Sequence, residues 1–256
     1  MNLLVCIKQV PDMESKFKID AGGTWYDNAD LAWRMNEYDE YAVEQAVQLK
    51  EKTGADLTVL CIGPDRVKET MKKALAMGCD RGVHVADDAS SQKDSFSIAA
   101  TIAEFAKSKS FDVIFTGMQS QDRGSGQVGV LVAEMLGIPC ITTIVDFAFD
   151  GGKITAKREL EGGVKAKVGC SAPALVTCQL GLNTPRYPTL PNIMKAKKKE
   201  LLSVPVADLC KVSAVAETSS LYFPEKKGGG LILEGDVGDL ADKLIKILKE
   251  KTAVLA

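Results

Sequence analysis

Ten residues, Gly117 to Gly126 (GMQSQDRGSG), set polar side chains among three glycines between two apolar runs. Gly124-Ser125-Gly126-Gln127-Val128-Gly129 matches the G-x-G-x-x-G fingerprint, and Asp146 follows about 20 residues on. A dinucleotide fingerprint places its first glycine directly after the strand, and here Gly117 to Arg123 intervene. The simpler chemistry is phosphate binding. A glycine-bearing loop that runs into a helix offers free N–H groups and a positive dipole end. Arg123 adds a cation that suits a terminal phosphate dianion. An ordinary strand-to-helix connection would look the same, so spacing alone leaves both readings open.

A second stretch, Asn183 to Lys199 (NTPRYPTLPNIMKAKKK), carries chemistry of another kind. Pro185, Pro188 and Pro191, three apart, predict a stiff, polyproline-like arm. Asn192 reads as the cap of a short helix from Ile193, with Lys195, Lys197, Lys198 and Lys199 suited to its C-terminal end. Leu190 sits between prolines, where folding an apolar side chain inward is difficult. The arm reads either as a crossover with a solvated lysine face or as a docking element. The run Arg158-Glu159-Leu160-Glu161-Gly162-Gly163 reads as a hairpin with charged flanks.

Other chemistries find little support. The one histidine, His84, lies between Val83 and Val85 and reads as a structural strand residue. The seven cysteines (Cys6, Cys61, Cys79, Cys140, Cys170, Cys178, Cys210) include no CxxC pair and sit mostly in apolar runs. Neither a disulfide framework nor a zinc site is expected. No nucleophile elbow is present, and no catalytic or metal-binding residue is assigned. A net charge of −2 argues against general nucleic-acid binding. No apolar run is long enough to span a bilayer. The opening MNLLVCIKQVPD reads as a first strand rather than a signal peptide, so a cytoplasmic protein is expected.

The positioning elements follow from the hydrophobic pattern. Asn2 to Gln9 is a near-continuous apolar run, as in a strand buried on both faces. A polar excursion to Asp30 follows, with a hairpin expected around Gly22-Gly23. Asn36 reads as a helix cap paired with Asp39 in the manner of a capping box, and Ala42, Val43, Ala46 and Val47 form one helical face. Strands over Leu57–Ile62, Val83–Val85 and Asp112–Thr116 alternate with helices through Val67–Leu75, Phe96–Phe105 and Gln127–Leu136. That alternation predicts an α/β fold with a mostly parallel twisted sheet flanked by helices. Thr142–Phe149, Lys153–Glu159 and Ala174–Gln179 are expected as antiparallel additions at the sheet edge. Residues 1–200 read as one domain and 201–256 as an extension. In that extension Ser213 to Lys227 is loose and Gly228–Gly230 is a joint. Val237, Leu240, Ala241, Leu244, Ile245 and Leu248 form an amphipathic C-terminal helix, which must pack on its own domain or on a second subunit.

Six motifs, in order along nearly the whole chain, resemble the β subunits of electron transfer flavoproteins. They are VCIKQVPD, MNEYDEYAVEQAV, KKALAMGCDRGVHV, GMQSQDRGSGQVG, RELEGG and LNTPRYPTLPNIMKAKKK. The resemblance implies a Rossmann-like, adenine-nucleotide-hydrolase-like sheet and an electron carrier rather than an enzyme. It implies that AMP sits in a pocket made by Cys6, the turn Asn36-Glu37-Tyr38-Asp39, Ile62, and the run Gly117, Met118, Gln119, Ser120, Gln121, Asp122, Arg123, Gly124, Ser125, Gly126, Gln127 and Val128. The family often carries Asn-Pro where this chain has Asn36-Glu37. Electron-bifurcating relatives hold a second FAD in place of AMP. The reactive FAD belongs mainly to an α subunit, which the C-terminal arm embraces. Glu159 is implied to orient that subunit's flavin domain, and Met13 falls near the flavin. Pro188, Leu190, Pro191, Ile193 and Met194 are implied to dock a flavin dehydrogenase of acyl-CoA type, with a quinone-linked oxidoreductase as acceptor. A stand-alone nucleotide sensor would share the core without needing the arm. An ATP-pyrophosphatase-like enzyme would need an S-G-G-x-D-S loop where this chain has Gln9-Val10-Pro11-Asp12.

Overall fold

The computed structural model describes residues 1–225 and 228–253. Positions 226 and 227, which end the stretch expected to be loose, lie outside the described residues, as do 254–256. The apolar run at the start forms β1 (Asn2–Ile7), whose alternate side chains feed two cores. Leu3, Val5 and Ile7 face one cluster, and Leu4 and Cys6 the other. β2 (Gln9–Pro11) pairs with β3 (Trp33–Met35) across the polar excursion, which carries a hairpin bridge between Ile19 and Tyr26.

The chain continues through α1 (Glu37–Thr53), β4 (Asp56–Gly63), α2 (Val67–Met77), β5 (Arg81–Ala86), α3 (Ser95–Lys107), β6 (Val113–Gly117) and α4 (Val128–Leu136). The meander β7 (Cys140–Asp150), β8 (Lys153–Glu159) and β9 (Lys165–Ser171) precedes β10 (Ala174–Cys178). After these come α5 (Leu190–Ala196), β11 (Leu201–Pro205), α6 (Val206–Leu209) and α7 (Val237–Lys251). Among the described residues the main sheet has the order β11-β5-β4-β1-β6-β10-β7-β8-β9. It is parallel from β11 to β7 and antiparallel through β8 and β9. α1 and α2 cover one face, α3 and α4 the other.

The edge expectation holds for Lys153–Glu159 and fails for Ala174–Gln179. β10 runs parallel inside the sheet between β6 and β7, with Ala174, Leu175, Val176 and Cys178 fully buried. A run of apolar side chains on both faces cannot sit at an edge with one face in water. Four strands lay unread in the sequence, β2, β3, β9 and β11. β11 pairs with β5, so Leu201–Pro205 completes the main sheet rather than opening an extension.

The chain divides into two compact units, Met1–Leu221 and Tyr222–Ala256. The second holds α7, whose N-cap Asp236 accepts from the Asp239 amide at 3.0 Å. Among the described residues no helix is long and apolar enough to cross a membrane. His84 is buried in β5, with Nε2 2.8 Å from the Gly63 carbonyl and Nδ1 3.2 Å from Ser203 Oγ, a structural tie across β4, β5 and β11.

Candidate nucleotide cleft and docking arm

From β1 the sheet is extended on one side by β4 and β5 and on the other by β6, which makes a topological switch point at the carboxyl ends of β1, β4 and β6. Open α/β sheets bind ligands at such a crevice. A cleft of ≈ 170 Å³ lies there. Its floor comes from the strand ends (Cys6 to Gln9, Ile62, Thr116) and one wall from the glycine loop. The first helix turn of α4 closes the inner end, bringing N–H groups that have no acceptor within their own helix. Gly129 permits this approach, because a Cβ there would stand 2.7 Å from Thr116 Oγ1 and 2.8 Å from Thr177 Cγ2.

The loop is held from beneath by α1's first turn. Buried Asn36 donates through Nδ2 to the Gln119 carbonyl at 2.8 Å and accepts at Oδ1 from the Gln121 amide at 3.0 Å. Buried Asp39 accepts from the Lys8 amide at 2.7 Å and the Gly117 amide at 3.1 Å. Burial pushes its carboxyl up to about 7, against those donors. The capping-box expectation for Asn36 and Asp39 is therefore corrected, since Asn36 makes no side-chain cap bond. Both side chains are drawn across to the loop, where buried amides would otherwise lack acceptors. Lys8 Nζ reaches both oxygens of Asp122, at 2.6 and 2.7 Å, and so neutralises the loop's one carboxylate.

Of the residues implied to hold a nucleotide, the structure brings together Cys6, Asn36, Asp39, Ile62, Gly117 to Ser120, Asp122, Arg123 and Ser125 to Val128 along the cleft. Glu37, Tyr38, Gln121 and Gly124 do not line it. Gln121 Nε2 donates to Glu37 at 2.9 Å and Gln119 Nε2 to the Tyr38 hydroxyl at 3.2 Å, so they brace the loop from behind. Burial pushes the Cys6 thiol up, which makes it an inert wall. Arg123 stands at the mouth with its guanidinium 4.7 Å over the Trp25 ring, and it donates to the Ser91 carbonyl. Arg66 lies 3.9 Å over Trp33 beside it. The side chains of Lys8, Trp25, Tyr26, Trp33, Arg66 and Ser95 were not read as site residues. One tryptophan of the chain, Trp25, falls in the polar excursion and the other, Trp33, just after it, and that was the available signal.

Among the described residues, two buried polar atoms of cleft residues lack a partner, Thr116 Oγ1 and Gln9 Oε1, and both are sealed from the cleft. Gln9 Nε2 is used, donating to Thr70 Oγ1 at 2.8 Å. The opposite wall starts at Asp94, the N-cap of α3. Burial opposes its ionisation, but the Ser97 amide and hydroxyl and the amides of Val215 and Ala216 hold its carboxyl at about 2.

The proline-rich arm, for which a docking role is expected, lies elsewhere, against α1 and α2. Its helix begins at Leu190, three residues before the expected start, because Thr189 rather than Asn192 is the cap. The Asn192 amide donates to Thr189 Oγ1 at 3.4 Å, and the proline at the second helical position costs no bond. Leu190 is 79% exposed, Tyr187 92% and Met194 60%. Pro191 and Ile193 are exposed too, while Pro188 is half-buried. Glu159 ends β8, half-buried, and Met13 is exposed beyond β2; neither lines the cleft. Thr143, in the left-handed region at φ 53°, donates through Oγ1 to the Glu159 carbonyl at 3.2 Å.

Comparison with known proteins finds relatives along the whole chain. A profile described as the electron transfer flavoprotein domain matches residues 24–209. The electron transfer flavoprotein subunit beta of Bacillus subtilis (strain 168) is 41% identical, with all of both chains covered. Its counterpart from Methylophilus methylotrophus is 34% identical over 98% of each chain. The Mus musculus counterpart is 35% identical over 96% of this chain and 98% of its own.

Proposed function

The chain belongs to the electron transfer flavoprotein family, as a β subunit with an electron-transfer role, and from that premise we propose how it serves the role. It pairs with an α subunit that holds most of the reactive FAD, and the flavin supplies the redox chemistry. This chain's own residues bind, brace and dock. The cleft holds AMP as a structural nucleotide. The arm engages a flavin dehydrogenase of acyl-CoA type through Leu190, and electrons leave to a quinone-linked acceptor. Glu159 steadies the partner's flavin domain.

The observation that carries the nucleotide assignment is the cleft at the switch point. A helix N-terminus and a glycine loop meet there, and Gly129 lets that helix start stand close against the strand ends. Lys8 removes the local negative charge that would repel a phosphate. Arg123, reaching from the loop to Trp25 and Ser91, crosses the mouth and favours a mononucleotide over a second flavin with its long tail. Acid extraction of the purified heterodimer, followed by chromatography, tests this. About one FAD and one AMP per heterodimer is expected, and two FAD without AMP overturns it.

A further inference from the structure

Leu190 carries its side chain almost wholly into solvent on a helix of seven residues, a length that holds no stable position unaided. Something must fix where it points. Of the arm's contacts with the body, one is built far more heavily than a crossover needs. Arg186, four residues before Leu190, donates Nε to Glu44 Oε2 at 2.8 Å and a terminal nitrogen to Glu44 Oε1 at 3.0 Å. Its other face meets Glu51, at 2.5 and 3.0 Å. Its backbone N–H also donates to Glu44 Oε2, at 3.2 Å. Both carboxylates stand on α1, and the Glu44 side chain is only 4% exposed. A guanidinium gripped by two carboxylates in fork geometry has one orientation, which a lysine cannot reproduce.

We propose that Arg186 is the positioning residue of the docking arm, fixing the start of the Tyr187–Met194 segment to α1 so that Leu190 meets the dehydrogenase without first being ordered. The remaining braces agree with this. Asn183 Nδ2 donates to the Tyr41 carbonyl at 3.1 Å on the same helix, and Lys199 Nζ caps the α2 end through the Leu75 and Cys79 carbonyls at 2.9 and 2.5 Å. Ala196 alone of the α5 residues is buried. The arm is tied at both ends and bare in the middle. Burial works against the Glu44 carboxylate, yet Arg186 and Gln48 hold its pKa below the ordinary range; Arg186 holds that of Glu51 down as well. A surface that is ordered before contact loses less freedom on binding, so loosening it weakens association rather than the chemical step.

The inference rests on Leu190 as the docking residue, so the experiment carries that variant beside its own. Wild-type, Leu190→Ala, Arg186→Lys and the double variant Arg186→Gln with Glu44→Gln are each prepared as the αβ heterodimer. The double variant leaves no unpaired buried charge and guards against simple misfolding. Each is the electron acceptor for a short-chain acyl-CoA dehydrogenase turning over its acyl-CoA. Amide exchange is followed at Ile193, whose N–H bonds the Thr189 carbonyl at 2.9 Å. Both Arg186 variants are expected to raise KM for the heterodimer about tenfold with kcat within twofold, and to speed exchange at Ile193. A KM within twofold of wild type in the two Arg186 variants, with Leu190→Ala impaired, overturns the positioning role alone. An unimpaired Leu190→Ala overturns the docking reading and the inference with it. A fall in kcat without a rise in KM shows a general structural defect and also overturns it.

Discussion

The cleft loop (residues 117–126) and the proline-rich arm (residues 183–199) both rest on α1, the arm on α2 as well, and they are fastened in opposite ways. The loop is held along its length by buried side chains beneath it: Asn36 on Gln119 and Gln121, and Asp39 on Gly117. The arm is held at its two ends, by Arg186 and Lys199, and its middle is bare. A loop that must present its backbone to a phosphate needs its own side chains turned down or back, as Gln119 and Gln121 are. On the proposed docking role, an arm that presents side chains to a protein needs its backbone self-sufficient, as a Thr189-capped helix with proline at its second position is. The loop rests on the first turn of α1 and the arm on Glu44 and Glu51 farther along α1 and on the end of α2, so damage to one should leave the other intact.

The largest expected break is at Gly117. A Cβ there would meet Asp39 Oδ1 at 2.2 Å, Tyr38 Cβ at 2.8 Å and the Tyr38 backbone at 3.1 Å. Gly117→Ala must lift the loop off α1, and a cost of about 3 kcal/mol, the upper end for overpacking, is expected. AMP content should drop to a trace, while KM toward the dehydrogenase, read at saturating flavin, stays near wild type. A variant with full nucleotide and an unchanged unfolding midpoint would show that the loop is not seated on α1 as described.

Asp39→Asn is a smaller probe of the same seat. At pH 8 the carboxylate is ionised and offers an acceptor to both the Lys8 and Gly117 amides. Asparagine keeps the volume but turns a donor toward one of them. The orphaned N–H costs about 1–3 kcal/mol, and relief of a buried charge offsets part of it, so the net loss is set at about 1 kcal/mol. The linkage sign is distinctive. A carboxyl raised to about 7 favours the fold below its unfolded pKa and loses that contribution as pH rises through 7. Chemical denaturation from pH 5 to 8 should show wild type losing ground to Asp39→Asn; parallel curves would mean Asp39 titrates normally.

The sequence made these two segments visible because each breaks a pattern, one with glycines amid apolar runs and one with prolines three apart. What lay hidden was what they rest on. Asn36 and Asp39 carry the spacing of a helix cap, and nothing local says that a loop some 80 positions away will claim their side chains. Glu44 looks like the wet face of α1 until Arg186 covers it, and Glu51 stays exposed while pairing with the same guanidinium. β10 was misplaced because a five-residue apolar strand after a meander reads like one more edge strand, although its buried ALVTC pattern marks an interior position. Lys8, Trp25 and Trp33 reach the cleft by way of a short hairpin whose pairing, β2 with β3, spans more than 20 residues of irregular chain. Local periodicity carries no record of such closures.

The finest test concerns the cleft's far wall, which is fastened in a third way. Asp94 caps α3 through Oδ1 and with Oδ2 accepts from the Val215 and Ala216 amides, at 2.9 and 3.1 Å, so one carboxylate ties the wall to the segment before Leu221. Asparagine would keep the cap through its one oxygen and turn its NH2 toward two N–H groups. Asp94→Asn should therefore leave α3 and the AMP content as they are, and speed amide exchange at 215 and 216 several-fold. In acid the wild type should behave the same way. A carboxyl held at about 2 contributes stability that is present above its unfolded pKa near 4 and is lost as pH falls through 2. Exchange at 215 and 216 should then accelerate only below about pH 3 in wild type and be fast throughout in the variant. If AMP leaves together with this segment, the wall and the loop are one cooperative unit, and the independence drawn between cleft and arm would need to be redrawn around α3.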